Sequence, residues 1–152
     1  MDPLRKPPTI SHAKTLGDVA AWSDSQAVFR RNLRDWTRHV GTLAVRASVI
    51  GSVIVPPRLL RGKFPEGAVA DAWLAAYAEF ACLHVGAGIP EWALKPNRFL
   101  AEPSFDDGVL DPRLRALVLD TSPEAFRRRN IFTSTVDLVL KVGAQPEPGM
   151  LF

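Results

Sequence analysis

Residues 68–85 read AVADAWLAAYAEFACLHV, and this stretch is the clearest indication of the fold class. Its apolar side chains recur at helical spacing and cover a wide face, which includes Trp73, Leu74, Tyr77, Phe80, Ala81 and Val85. Gly86 and Gly88 follow at once, and glycine is the residue that most often ends a helix. The stretch therefore predicts a central apolar helix near residues 68 to 85.

A second, basic helix is predicted near residues 24 to 40, before the central one. Ser23 with Gln26 three residues later is an N-cap signal. Apolar residues then follow at spacings of four, three and four, namely Phe29, Leu33, Trp36 and Val40. We expect this stripe to face the core and the arginines of the same helix to lie on its outer surface.

The remaining helices are predicted to be short, and their starts carry capping signals or prolines. The first of these helices is expected to start at Thr15 with Asp18 and to end near Trp22, and the last to start at Ser134 with Asp137 and to end near Val142. Between them, starts are expected at Pro90, at Pro96, at Asp111 with Pro112, and at Ser122 with Pro123. Residues 42–55 fit a strand or a buried helix. A lone strand would leave its backbone groups unpaired, so we favour a helix up to Pro56.

Length and composition bound the class of protein. The chain has 152 residues, 47% of them hydrophobic and 23% charged, which is typical of one globular domain. We expect a single compact all-α domain of five to seven helices over residues 15–142, between a flexible arm, 1–14, and a flexible tail, 143–152. The longest apolar run, residues 47–55, is too short for a membrane span. A cytoplasmic protein without a signal peptide is expected.

Charge is distributed unevenly along the chain. Residues 25–65 hold eight basic side chains against Asp35 alone, and residues 66–125 hold ten acidic ones against four basic ones. One interpretation is that the two halves fold against each other with solvated rims. The other is that Arg30, Arg31, Arg34 and Arg38 form a stripe that attracts phosphate or an acidic partner.

Neither a metal site nor a nucleophilic thiol is expected, and no cofactor is predicted. The chain has three histidines and one cysteine, and Cys82 and His84 are two residues apart, so on a helix they point to different faces. Cys82 has apolar neighbours, which indicates a buried structural thiol. A single cysteine also excludes an internal disulfide framework.

One arrangement on the basic helix suggests catalysis: Arg34-Asp35-Trp36-Thr37-Arg38-His39. It resembles the Arg-x4-6-His signature of the HEPN ribonucleases, which are all-helical bacterial toxins. The resemblance implies that His39 exchanges a proton with the ribose 2′-hydroxyl or the leaving oxygen and that Arg34 steadies the charged phosphorane. The other interpretation is a solvated arginine-rich face with His39 exposed.

A second resemblance covers about residues 72 to 133. The segments IPEW (89–92), RFLAEP (98–103) and SPEAFRRRNIF (122–132) resemble a group of uncharacterised bacterial proteins associated with toxin–antitoxin and regulatory loci. That group supplies no catalytic residues. Trp92 and Phe99 are interpreted as core aromatics rather than a partner groove, and at least one of Arg127, Arg128 and Arg129 is expected to be available to phosphate or carboxylate.

Taken together, the sequence favours a non-enzymatic protein-interaction or regulatory protein, such as an antitoxin-like subunit, whose partner is another protein. The residues expected to bind the partner, or nucleic acid, are Arg30, Arg31, Arg34, Arg38, Arg127, Arg128 and Arg129. The alternative is an RNA-binding protein or a HEPN-like ribonuclease that uses Arg34 and His39.

Overall fold

Helix α4, Gly67–His84, contributes more buried residues than any other element of the described chain. The protein is described here by a computed structural model over residues 11–106, 109–134 and 136–142. Most residues of α4 are buried, because seven alanines leave room for neighbouring elements on nearly every side. The central helix predicted near 68 to 85 is confirmed.

Six α-helices occur in the described residues, which confirms an all-α class of five to seven helices. They are α1 (Leu16–Ala21), α2 (Gln26–Thr42), α3 (Arg46–Gly51), α4 (Gly67–His84), α5 (Pro112–Thr121) and α6 (Glu124–Arg127), with 3₁₀ helices at Glu91–Leu94 and Pro96–Arg98. Strands β1 (Ser104–Phe105) and β2 (Ile131–Phe132) pair in parallel, with Ser104 opposite Ile131. Two-residue strands are too short to leave a periodic pattern in a sequence.

The N-terminal caps show how the first two helices begin. The Thr15 hydroxyl accepts from the Asp18 amide at 3.0 Å, and the Asp18 carboxylate accepts from the Thr15 amide, which is the predicted capping box. Helix α2 is capped by Ser25, so the prediction of Ser23 as its cap is wrong. The Ser23 hydroxyl instead donates to the Val19 carbonyl at 2.6 Å, at the end of α1.

The predicted apolar stripe of α2 faces the core, since Phe29, Leu33, Trp36 and Val40 are all buried. Between α2 and Pro56, only Arg46–Gly51 is helical, so the preference for helix over residues 42–55 holds for that part alone. The single cysteine, Cys82, is buried as predicted, and burial raises the pKa of its thiol while Arg46 opposes the shift.

The predicted last helix, from Ser134 to near Val142, is wrong. Residues 136–140 have no regular secondary structure and residues 141–142 form a bend, while burial alternates: Leu138 and Leu140 are buried whereas Val139 is 80% exposed. This alternation of buried and exposed positions is typical of a non-helical chain that lies on the core.

The expected arm and tail lie largely outside the described residues, which leave out 1–10 and 143–152. The end of the expected arm is described, and there Ala13 is fully buried in the core. None of the helices in the described part of the chain combines the length and apolar character that a membrane span requires.

Candidate functional site

The four arginines predicted on α2 share one side of that helix. Arg30, Arg31, Arg34 and Arg38 are exposed, and a helix of 3.6 residues per turn places them within an arc of about 100°. The neighbouring acid, Asp35, lies 3.3 Å from the imidazole of His12. The outer face of α2 is therefore strongly basic. We call Arg31, Arg34 and Arg38 the arginine face, because none of the three forms an ion pair with a described residue.

Arg34 and His39 do not come together. Five residues along a helix correspond to a rotation of about 140°, so the two side chains leave α2 in diverging directions. Arg34 lines a cavity, whereas His39 is half-buried and is not among the residues that line it.

Three other arginines of the basic block hold the fold together. Arg46 donates to the Val85 carbonyl at 2.7 Å, and Arg58 donates to the Ala20 carbonyl at 2.8 Å. Both contacts satisfy carbonyls at the C-terminal end of a helix, where cations also suit the helix dipole. Arg61 lies 3.5 Å from the carboxylate of Asp71, which is fully buried.

The triple arginine is mostly structural, and the prediction that Arg129 is available to a partner is wrong. Arg129 is fully buried, where it donates to Glu79 at 2.8 Å and to two backbone carbonyls at 2.7 Å each. Arg128 lies 3.3 Å from the second oxygen of Glu79. Arg127 is partly exposed and pairs with the exposed Glu124 at 2.7 Å. A short turn after Pro123 thus directs one of the three arginines into the core.

Of the two aromatic residues predicted as core, Trp92 lies in the core and Phe99 is only half-buried. Trp92 is buried, and its indole N–H donates to the Val53 carbonyl at 2.9 Å. Phe99 lies under the Arg129 guanidinium, 4.6 Å from its carbon. Trp92 also lines a second cavity, together with Ile54, Pro56, Pro90, Glu91 and Lys95.

A cavity of about 290 Å³ opens between α2 and α4. Helix α2 contributes one stripe of its surface, Gln26, Phe29, Arg30, Leu33, Arg34 and Thr37, and α4 contributes another, Glu66, Val69, Trp73 and Tyr77. The remaining wall comes from β1 and the C-terminal segment, through Ser104, Phe105, Asp106 and Asp137. The predicted Arg30 and Arg34 therefore stand at a cavity that four separate parts of the chain complete.

The start of α4 is fixed by close backbone packing. A Cβ atom at Gly67 would lie 2.0 Å from the Leu60 carbonyl oxygen, so only glycine fits there. Asp71 then accepts from the amides of Leu60 at 2.6 Å and Arg61 at 3.1 Å. The loop before α4 is held by these contacts, and with it Glu66 at the cavity.

Charges of both signs surround the cavity. Arg34, Glu66 and Asp137 form no ion pair with any other residue of the described chain. The carboxylate of Asp106 is oriented by the Thr133 hydroxyl, which donates to it at 3.0 Å. The amide oxygen of Gln26 is buried and, among the described residues, has no hydrogen-bond donor. Arg34, Glu66 and Asp137 are exposed to solvent at the cavity, which thus offers charged groups of both signs and one buried acceptor without a donor among the described residues.

Among the titratable groups that line the cavity, Tyr77 has the most strongly shifted pKa. Burial raises its pKa far above the ordinary value, the backbone of Asp137 opposes this by a hydrogen bond, and the charges of Asp137 and Asp106 add to it. The phenol therefore stays neutral at physiological pH, where it serves as a hydrogen-bonding group and not as a nucleophile.

Sequence reasoning missed the acidic half of this site. Glu66, Asp106 and Asp137 are far apart in the chain, and no local pattern brings them together. The spacing of Trp73 and Tyr77 at i and i+4 was a usable signal for one aromatic wall. Within the residues that the structure describes, no group of three or more His, Cys, Asp and Glu side chains is arranged to hold a metal ion.

Comparison of the chain with family models, with curated proteins and with solved structures returns no match.

Proposed function

We propose that this protein is a non-enzymatic, regulatory interaction protein that binds another protein through the arginine face of α2. The supporting observation is that Arg31, Arg34 and Arg38 are exposed and unpaired among the described residues, whereas Arg46, Arg58, Arg61, Arg98 and Arg129 form hydrogen bonds or ion pairs with other residues of the chain. A guanidinium binds carboxylates in a planar, bidentate manner, so such a row favours acidic surfaces.

A protein partner suits the surroundings of this face better than nucleic acid does. Next to Arg34 lie the carboxylates of Glu66 and Asp137, which would repel a phosphate backbone. A protein can present carboxylates to the arginines and cations or amides to those acids, whereas a nucleic-acid backbone presents only negative charge. An antitoxin-like subunit, which binds its partner and regulates it, would be one example of such an interaction.

Charge removal on the arginine face tests this proposal. The variant Arg31→Gln/Arg38→Gln leaves Arg34 and the cavity intact, and Arg113→Gln on α5 is the matched control because Arg113 is also exposed and unpaired among the described residues. We expect the tagged wild-type and control proteins to retain a stoichiometric partner protein from the host, and the double variant to lose it. Equal retention by the double variant would contradict the proposed face.

The alternative function is RNA binding or HEPN-like cleavage through Arg34 and His39. Only the exposed arginines favour it, since Arg34 and His39 point in diverging directions. Binding through several phosphates would make the affinity fall steeply with salt. Steep salt dependence of RNA binding, together with its loss in Arg34→Gln and His39→Ala, would replace the proposal above by this one.

A further inference from the structure

We infer that the cavity between α2 and α4 binds a small zwitterion with an aromatic body, of the chemical class of the aromatic α-amino acids. Arg34 belongs both to the arginine face and to the cavity wall, but the ligand would lie between the two helices, away from Arg31 and Arg38, so the inference goes beyond the proposed docking of a protein on α2. The inference follows from the size of the cavity, its walls and its charged groups of both signs.

The size and the walls point to a compact, planar ligand. A cavity of about 290 Å³ lies at the lower limit of small-molecule sites, which suits a ligand smaller than a typical drug. The rings of Trp73 and Tyr77 lie 6.0 Å apart and tilted by 32°. Trp73 and Phe105 are only half-buried, so each leaves ring surface open toward the cavity that they line. Aromatic rings in offset or edge contact stabilise a planar ligand.

The charges point to a ligand that carries both signs. Arg34 on α2 would bind a carboxylate in bidentate fashion, and Asp137 and Glu66 on other walls would bind an ammonium group. Arg30 and Asp106 line the same cavity, so cationic and anionic groups lie on different walls. A zwitterion is the ligand class that can pair with charges of both signs at once.

The amide oxygen of Gln26 provides an independent indication. It is buried beside the cavity with no donor among the described residues, and a buried acceptor without a donor is costly. An ammonium group has three donors, so it can reach this oxygen in addition to a carboxylate.

Calorimetry and thermal shift with defined probes test the inference. The probes are tryptophan, tyrosine and phenylalanine, with tryptamine, which lacks the carboxylate, indole-3-propionate, which lacks the amine, and glycine, which lacks the ring. We expect saturable binding of at least one aromatic amino acid and at least tenfold weaker binding of its matched truncated analogues. No binding of any aromatic amino acid at 10 mM, or equal binding of tryptamine and tryptophan, would overturn the inference.

Three variants connect the binding to the cavity. We expect Arg34→Gln and Asp137→Asn each to weaken binding at least tenfold, and Arg31→Gln, one turn earlier but outside the cavity, to leave it unchanged. Far-UV circular dichroism of each ligand-free variant checks that it is folded. Unchanged affinity in the folded Arg34→Gln and Asp137→Asn proteins would overturn the inference. Because Arg31→Gln/Arg38→Gln spares the cavity, loss of partner binding and loss of ligand binding are distinguishable.

Discussion

Arg129 is the single residue on which the packing of the second half depends most. Its guanidinium is fully buried against Glu79 and carbonyls of two other segments, and burial lowers its pKa while Glu79 opposes the shift. Removing one member of a buried ion pair costs about 3–5 kcal/mol, and the lower end of that range applies here because Arg128, 3.3 Å from Glu79, still faces the carboxylate. We expect Arg129→Ala to lower the free energy of unfolding by about that amount in urea denaturation.

The exposed neighbour Arg127 is the control for this prediction. Its pairing with Glu124 lies at the surface, where solvent screens the charges and such pairs contribute little to stability. A result in which Arg127→Ala is as destabilising as Arg129→Ala would contradict the assignment of Arg129 to the core.

Because the phenol of Tyr77 is buried, we expect the protein to lose stability at alkaline pH. This phenol keeps its proton in the folded state well above pH 10, the ordinary value, because burial raises the pKa, whereas the unfolded chain releases the proton near pH 10. The unfolded state then binds fewer protons, so stability falls as pH rises above 10, by up to about 1.4 kcal/mol per pH unit. We expect Tyr77→Phe to have a flatter profile in denaturation between pH 9.5 and 11. Identical slopes would contradict a buried phenol.

Among the elements, the C-terminal end of α4 is the clearest example of a structural feature that a local sequence pattern determines. Gly86 adopts a left-handed φ of +76°, and the amide of Ala87 donates to the Cys82 carbonyl at 2.8 Å. A side chain in that conformation costs about 1–2 kcal/mol, so we expect Gly86→Ala to destabilise the protein by this amount in thermal unfolding. Gly88→Ala, where a Cβ meets nothing within 4 Å, should change little. Equal effects would contradict the helix stop.

The segment at 136–142 shows where local reasoning fails. Ser134 with Asp137 is a valid capping signal, and it predicted a helix. Leu138, Val139 and Leu140 are all apolar, so the sequence itself does not alternate here; only the structure shows that Leu138 and Leu140 are buried and Val139 is exposed. The burial of Leu138 and Leu140 depends on the surface that the earlier helices form, and no local sequence pattern encodes that surface.

For the molecule as a whole, the sequence predicted the helical class, α4 and the outer arginines of α2, since each follows from local spacing. It did not predict the cavity, because Glu66, Asp106 and Asp137 meet Arg34 only after four segments pack together. It also placed Arg129 among the available arginines, although burial beside Glu79 removes it from the surface. Local patterns thus identify exposed charge, and tertiary packing decides which charges remain accessible.

The central claim is that the arginine face of α2 binds a protein. The most direct test is capture of the tagged full chain from its host at near-physiological salt, with and without nuclease. We predict a stoichiometric protein that survives nuclease and is lost in Arg31→Gln/Arg38→Gln. Recovery of RNA or DNA whose digestion empties the sample would contradict the claim.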